Sequence, residues 1–171
     1  CFGKSSGGYG AMIHGMRHAE HWGAVADHSG DAYFEFCYLT DWPRTLNELD
    51  RYRVPRRKAG RQSTARGKRR PGDGRDDGRA RRFLEAVWAK DKLNDAEVHA
   101  LMELAMAASY DPDPRAPLGF RLPCDLDTGE LIPQRWERWR QHDPVNLVAE
   151  CKRQGFMLKR PQEHDSRTVA V

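Results

Sequence analysis

The residues with the clearest chemical potential stand at the start of the chain, where Ser5 lies between Gly3 and Gly7. The Gly-x-Ser-x-Gly spacing is typical of a nucleophile elbow, a tight strand-to-helix turn that exposes a serine hydroxyl. In such a turn Ser5 is the nucleophile, and the backbone N–H of Ser6 is half of an oxyanion hole. Glycines are expected on either side of the serine, where a Cβ would crowd the neighbouring strand and helix.

The residues after the motif predict the elements that would position it. Small residues keep the first helical turn thin, and apolar residues then follow at helical spacing. Residues 22–30 predict a short buried strand that ends in a polar, glycine-containing loop. Elbow, helix and strand together form a βαβ half-unit, which is the context that a nucleophile elbow requires.

Two other interpretations of the motif remain open. Gly3-Lys4-Ser5 is also the end of a P-loop, but that motif needs a glycine five positions before Gly3, and the chain does not extend that far. The pair Gly7-Gly8 would also weaken the helix that a P-loop must begin at once. The remaining alternative is a plain glycine-rich turn without chemistry.

Residues 3–12, Gly-Lys-Ser-Ser-Gly-Gly-Tyr-Gly-Ala-Met, are followed after the next strand by His28-Ser29-Gly30-Asp31. This pattern resembles the putative-esterase family of α/β-hydrolases, which includes S-formylglutathione hydrolases and enterochelin-esterase-like proteins. The resemblance is specific over residues 1–40 and looser over the insertion to residue 149. It implies a serine hydrolase of small-molecule esters or thioesters with a Ser–Asp–His triad in that chain order. Ser6 stands where the family often has a bulkier residue, but only its N–H would be used.

The predicted fold class is α/β, a partial α/β-hydrolase core over residues 1–40 with a mostly helical cap-like insertion over 41–149. Residues 150–171 are expected to form an irregular or truncated tail. Because the elbow is already in progress at Cys1, we expect a fragment whose second oxyanion donor lies upstream. No cofactor and no metal ion are expected.

The tail contains one late His/Asp pair, His164-Asp165, which makes His164 the candidate for the triad histidine. A triad on this pair would need two strands and a helix for which the chain has no room. Without a histidine base Ser5 is a weak nucleophile, so we expect little turnover by the chain alone.

The insertion predicts helices with clear start signals. Asp41 and Pro43 begin one helix, residues 79–90 form a second, and the capping box Asn94-Asp95-Ala96-Glu97 opens a third. The second and third helices are expected to pack as an αα-hairpin, with His99 on the surface. The apolar stripes are Leu46, Leu49 and Tyr52; Phe83, Val87 and Trp88; and Val98, Leu101, Met102, Leu104, Ala105 and Ala108.

Several further segments are assigned by local chemistry. The aromatic residues of 31–39 either line an acyl or alcohol pocket or pack in the core. Residues 127–130 predict a hairpin turn, since the acidic residues around them lack the spacing of a calcium loop. Residues 134–141 predict a helix bearing two tryptophans, and Asp143-Pro144 predicts the start of the next helix.

The charge is concentrated in one segment. Residues 51–82 hold fourteen Lys/Arg and three Asp, although the whole chain carries a net charge of only +4. A mobile loop is expected over residues 53–78, because the segment has little apolar surface to bury. The alternative function is a basic, non-enzymatic binding module that uses residues 51–82 for nucleic acid or an anionic surface. Without a recognisable nucleic-acid fold, nucleic acid is not the expected partner.

The spacing of the cysteines and the hydropathy of the chain indicate where in the cell the protein is expected. The four cysteines show no Cys-x-x-Cys spacing, which favours reduced thiols. No stretch approaches the roughly 20 apolar residues that span a bilayer. A cytoplasmic location is therefore the default expectation. Nothing in the sequence specifies an oligomeric state.

Overall fold

A computed structural model of the chain describes residues 1–54 and 77–153, with side chains for all but the last three of these. The chain forms two compact units, one of Cys1–Gly30 with Pro144–Val171 and one of Asp31–Asp143. The elements, in chain order, are β1 (Phe2–Lys4), α1 (Ser6–Arg17), a 3-10 turn (Ala19–His21), β2 (Ala26–His28), α2 (Phe34–Cys37), α3 (Trp42–Asp50), α4 (Arg79–Trp88), α5 (Asp95–Tyr110), α6 (Pro133–Arg140) and α7 (Pro144–Arg153).

The first unit contains a parallel βαβ arrangement. Strands β1 and β2 pair in parallel, with Phe2 opposite Ala26 and Lys4 opposite His28. Helix α1 connects the two strands, packs against both and also contacts α7. The helix and the strand predicted after the elbow are therefore present, and with β1 they form a βαβ unit.

Strand β2 is shorter and more exposed than predicted. The sequence indicated a buried strand within residues 22–30, whereas the strand covers only Ala26–His28 and all three residues are exposed. Within the described residues β2 has one neighbouring strand, and a two-stranded sheet leaves much of its surface open. Apolar composition alone was insufficient to predict burial here.

Aromatic side chains form the centre of the second unit. Phe34, Tyr38, Tyr110 and Trp139 are all buried. Ring centroids lie 4.7 Å apart for Phe34 and Tyr38, 5.0 Å for Phe34 and Tyr110, and 5.2 Å for Tyr110 and Trp139. The Phe34–Tyr38 and Tyr110–Trp139 pairs are edge-to-face, an arrangement that is favourable for aromatic rings. Core packing is therefore the role of Phe34 and Tyr38, two of the aromatic residues of segment 31–39.

Helix α3 is the centre of helix packing in the second unit, because its main contacts are with both α4 and α5. The predicted αα-hairpin of α4 with α5 is wrong in this respect, since the two helices pack through α3. Phe83 and Val87 are buried as predicted, and Tyr52 contacts Phe83 edge-on at 5.5 Å. Trp88, in contrast, is 80% exposed, because it lies about 100° around the helix from Val87.

Helix α5 begins where the sequence predicts, at its capping box. The Glu97 N–H donates to Asn94 Oδ1 at 3.0 Å, and the Asn94 N–H donates to Glu97 Oε2 at 3.0 Å, which completes the capping box. The helix ends at Tyr110, immediately before Asp111 and Pro112.

The predicted buried face of α5 is largely wrong. Val98 and Met102 are 49% and 40% exposed, and only Leu104 of the predicted stripe is buried. The helix is apolar on more than one side, so its periodicity does not identify the face that meets α3 and α6. The residues actually buried are Glu97, Ala100, Glu103, Leu104, Ala107 and Tyr110.

A buried arginine joins three parts of the second unit. Arg79 is fully buried, and its guanidinium donates to Asp50 Oδ1 at 3.0 Å, Asp77 Oδ2 at 2.8 Å and Asp127 Oδ1 at 2.7 Å. It also donates to the Leu126 carbonyl at 2.8 Å. The hydrogen bond from Arg79 is the main reason that the pKa of Asp77 is lowered to about 2. Such a buried charge is tolerated because it is paired and hydrogen-bonded.

The turn predicted at residues 127–130 is present. The Asp125 N–H donates to the Glu130 carbonyl at 2.8 Å, and Gly129 has φ 74°. Asp125 Oδ1 accepts hydrogen bonds from the N–H groups of Asp127 and Thr128 at 2.8 and 2.9 Å. The carboxylate of Asp125 therefore holds the turn together from within.

Candidate active site

Ser5 alone connects strand β1 to helix α1. Its backbone has φ 55° and ψ −128°, outside the regions that non-glycine residues ordinarily adopt. A conformation of this kind costs about 1–3 kcal/mol and persists only where the surrounding structure imposes it. The sharp strand-to-helix turn predicted for a nucleophile elbow is therefore present at Ser5.

Hydrogen bonds on both sides hold Ser5 in this conformation. Its N–H donates to the His28 carbonyl at 3.0 Å, which extends the parallel pairing of Lys4 with His28. Its carbonyl accepts from the Tyr9 N–H at 3.0 Å, which starts the hydrogen bonding of α1. The sheet and the helix thus fix the two peptide groups of Ser5 independently, so the intervening dihedral angles must absorb the strain.

The two glycines of the motif differ in their surroundings. A Cβ on Gly3 would lie 2.1 Å from the carbonyl oxygen of Gly7, a distance that only a backbone shift could relieve. A Cβ on Gly7 would meet no heavy atom within 4 Å among the described residues. The predicted crowding is therefore found at Gly3 and not at Gly7, because the turn folds the start of α1 back over the strand.

The loop after β2 packs closely on the start of α1. A Cβ on Gly30 would lie 2.3 Å from the Tyr9 nitrogen, and one on Gly8 would lie 2.2 Å from Asp27 Oδ1. The same Asp27 oxygen accepts a hydrogen bond from the Gly30 N–H at 2.8 Å. Asp27 was not among the predicted site residues, although an aspartate three residues before a glycine in a polar loop is a turn signal.

The functional groups of the turn face solvent. Ser5 and Ser6 are exposed, and the Ser5 hydroxyl does not cap α1. Among the described residues neither the Ser5 hydroxyl nor the Ser6 N–H has a hydrogen-bond partner. The Ser6 N–H is one of the unpaired donors at the start of α1, where the helix dipole favours negative charge. A hydroxyl beside such a donor can attack a carbonyl whose oxygen the N–H then stabilises.

Four of the five predicted site residues lie next to one another in the structure, and the fifth is outside the described residues. Gly3, Ser5, Ser6 and Gly7 occupy a single turn. His164 lies outside the described residues. In the parts of the chain covered by the structure, no histidine ring is hydrogen-bonded to the Ser5 hydroxyl.

The length of the connection between β1 and α1 can be compared with that of a P-loop. Lys4 is the last residue of β1, and α1 begins at Ser6, so one residue separates strand from helix. A P-loop requires a longer glycine-rich loop whose successive N–H groups surround phosphates. The turn at Ser5 therefore does not have the form of a phosphate-binding loop.

At the two described ends of the basic segment, residues 51–82, most arginines form ion pairs with carboxylates. Arg51 contacts Glu48, while Arg53 and Arg79 share the carboxylates of Asp50 and Asp127. These ion pairs reduce the positive charge that the ends of the segment present to a partner. Most of the basic segment lies in residues 55–76, outside the described residues.

No protein-family model, curated protein or solved structure matches this chain. The resemblance to the putative-esterase family therefore stays a prediction from the residue pattern. Of the helices that the structure describes, none combines the length and apolar character needed to cross a membrane.

Proposed function

We propose that this chain carries the nucleophile site of a serine hydrolase that acts on small-molecule carboxylic esters or thioesters. Ser5 is the nucleophile, and the Ser6 N–H stabilises the oxyanion. The main support is the backbone of Ser5, with φ 55° and ψ −128° between a parallel strand and a helix. The substrate class comes from the family resemblance of residues 3–12 and 28–31. In this proposal the first unit is part of an α/β-hydrolase sheet, and the second unit is an insertion into it.

The chemistry follows from the groups on the turn. The Ser5 Oγ attacks the ester or thioester carbonyl, and the negative charge that develops on the carbonyl oxygen meets the Ser6 N–H. Collapse of this intermediate expels the alcohol or thiol and leaves an acyl group on Ser5. Water then attacks the acyl group and releases the acid.

Proton transfer limits this reaction. The Ser5 hydroxyl must lose its proton to a base as it attacks, and the leaving group must gain one. Within residues 1–54 and 77–153, no histidine is hydrogen-bonded to Ser5. His164 is the candidate that the sequence supplies. A serine without a base reacts slowly, so turnover should be low if the whole chain lacks one.

A fluorophosphonate probe followed by intact mass and peptide mapping tests the proposal. We expect one adduct per chain, located on Ser5, and no adduct in Ser5→Ala. Ser6→Ala is the matched control, since it keeps the backbone N–H and removes only the neighbouring hydroxyl. Labelling of Ser6→Ala should therefore equal that of the unmodified chain.

The possible outcomes test two assignments separately, that of Ser5 as the nucleophile and that of His164 as the base. Labelling that persists in Ser5→Ala, or that is absent from the unmodified chain at saturating probe, contradicts the assignment of Ser5. Loss of labelling in His164→Ala would identify His164 as the base. Retention in that variant would place the base elsewhere and leave Ser5 as the nucleophile.

A further inference from the structure

Three histidines and a glutamate cluster at the end of α1 that is opposite Ser5. His14 and His18 are four residues apart and therefore lie on the same side of the helix end. His21 closes the following 3-10 turn, and Glu20 precedes it. The ring centroids of His14 and His18 lie 5.9 Å apart, and those of His18 and His21 lie 6.3 Å apart.

The glutamate lies between two of the rings. Glu20 Oε1 is 3.9 Å from His18 Nδ1 and 3.3 Å from His21 Nε2. The side chains of His18, Glu20 and His21 are 53%, 63% and 71% exposed. The ring nitrogens have no other hydrogen bond or ion pair in the described part of the chain. A ligand can therefore approach the cluster without disturbing the packing of α1.

The cluster is separate from the proposed hydrolase site. Helix α1 has 12 residues, which places its two ends about 18 Å apart. The cluster has no role in the attack by Ser5, and its chemistry differs from that of a hydroxyl nucleophile. The simplest alternative role is a local charge pair between Glu20 and protonated histidines.

The donor set points to a borderline transition metal. Imidazole nitrogen suits Zn²⁺, Cu²⁺ and Ni²⁺, whereas Mg²⁺ and Ca²⁺ take oxygen ligands. Two imidazole nitrogens on one tetrahedral Zn²⁺ lie about 3.3 Å apart, which corresponds to ring centroids about 5 Å apart. The His14–His18 and His18–His21 ring separations exceed this by about 1 Å, and in this conformation no group of three or more His, Cys, Asp or Glu side chains among the described residues is placed to hold a metal ion. Rotation of exposed side chains covers such a distance.

We propose that His14, His18 and His21, with Glu20 as a further ligand, bind one transition-metal dication such as Zn²⁺. A bound ion ties the last turn of α1 to the 3-10 turn that follows.

Calorimetric titration of the full chain with Zn²⁺ at about pH 7.5 tests the site. We expect His14→Ala and His21→Ala each to weaken binding by more than about tenfold, the loss seen when even a supporting residue of a metal site is removed. His28→Ala is the matched control, because His28 is an exposed histidine of the same unit outside the cluster. Its affinity for Zn²⁺ should equal that of the unmodified chain, and Mg²⁺ should not compete.

Two results would overturn the proposal. One is equal Zn²⁺ affinity in the unmodified chain and in His14→Ala/His21→Ala, with helix content by circular dichroism unchanged. The other is loss of binding only in Cys1→Ser, which would assign the ion to the exposed Cys1 thiol. The spectrum of the Co²⁺ form separates these cases, since a thiolate ligand adds a charge-transfer band that histidine and carboxylate ligands lack.

Discussion

Replacing Glu103 by glutamine should stabilise the second unit at neutral and alkaline pH and have little effect at acid pH. Glu103 lies in α5, is 0% exposed, and neither of its carboxyl oxygens has a hydrogen-bond partner among the described residues. Burial, with a smaller contribution from the charge of Asp41, raises the pKa of Glu103 from 4.5 to about 8. The folded protein therefore favours the protonated carboxyl, which glutamine imitates without titrating.

The sign and size of the effect follow from this shift. Because the folded pKa is raised, the stability that Glu103 contributes is fully present below about pH 4.5 and is lost as the pH rises toward about 8. Each pKa unit corresponds to about 1.4 kcal/mol, which gives roughly 3 kcal/mol at pH 7 and about 5 kcal/mol as an upper limit above pH 8. Neighbouring Cys37 and Cys124 remain thiols in this range, since burial is the main cause that raises the pKa of each to about 12.

Urea unfolding followed by tryptophan fluorescence measures the effect, because Trp42, Trp136 and Trp139 are buried in the second unit. We expect the free energy of unfolding of Glu103→Gln to exceed that of the unmodified chain by a margin that grows between about pH 5 and pH 8.5. Glu85→Gln, an exposed residue of α4, is the control and should show no such trend. If the two chains differ in free energy of unfolding by the same amount at about pH 5 and at about pH 8.5, the raised pKa of Glu103 is contradicted.

Two further predictions use matched pairs of variants. Gly3→Ala should cost about 2–3 kcal/mol and abolish labelling of the elbow serine, because its Cβ would lie 2.1 Å from a backbone oxygen. Gly7→Ala should retain labelling, and equal labelling of both variants would contradict the close packing at Gly3. Arg79→Ala should lower the free energy of unfolding by about 1–3 kcal/mol, because it removes a fully buried side chain and leaves the Leu126 carbonyl without its donor, whereas the exposed carboxylates of Asp77 and Asp127 can return to water. Arg81→Ala, which removes an exposed arginine bonded to a carbonyl, should cost less than about 1 kcal/mol in the same urea titration, and equal losses would argue against the buried network.

Part of the candidate site was predictable because its signals are local. Ser5 adopts a strained turn between Gly3 and the first turn of α1, and the spacing that predicted this turn lies within residues 3–7. The hydrogen bond from its N–H to the His28 carbonyl, in contrast, depends on the pairing of β1 with β2 and was not predicted from the sequence. The base was not predictable with the same certainty, since a triad joins side chains that are distant in sequence.

Other features depended on contacts that no local pattern encodes. The Asp143 carboxylate accepts hydrogen bonds from the N–H groups of Tyr33 and Phe34, about 110 residues earlier in the chain. Arg79 appeared in the sequence as one of many basic residues, yet it is fully buried among carboxylates. Glu103 lay outside the predicted apolar stripe of its helix and is nevertheless buried.

By itself, the sequence determined the limits of those elements that carry local start and stop signals. The capping box of Asn94 and Glu97 and the proline after Asp111 set the limits of α5, since caps and breakers act through hydrogen bonds and steric clashes within a few residues. Only the tertiary structure decided which faces are buried, because burial depends on the element that packs opposite. The elbow serine required both, since its glycines allow the turn and the neighbouring strand and helix hold it in place.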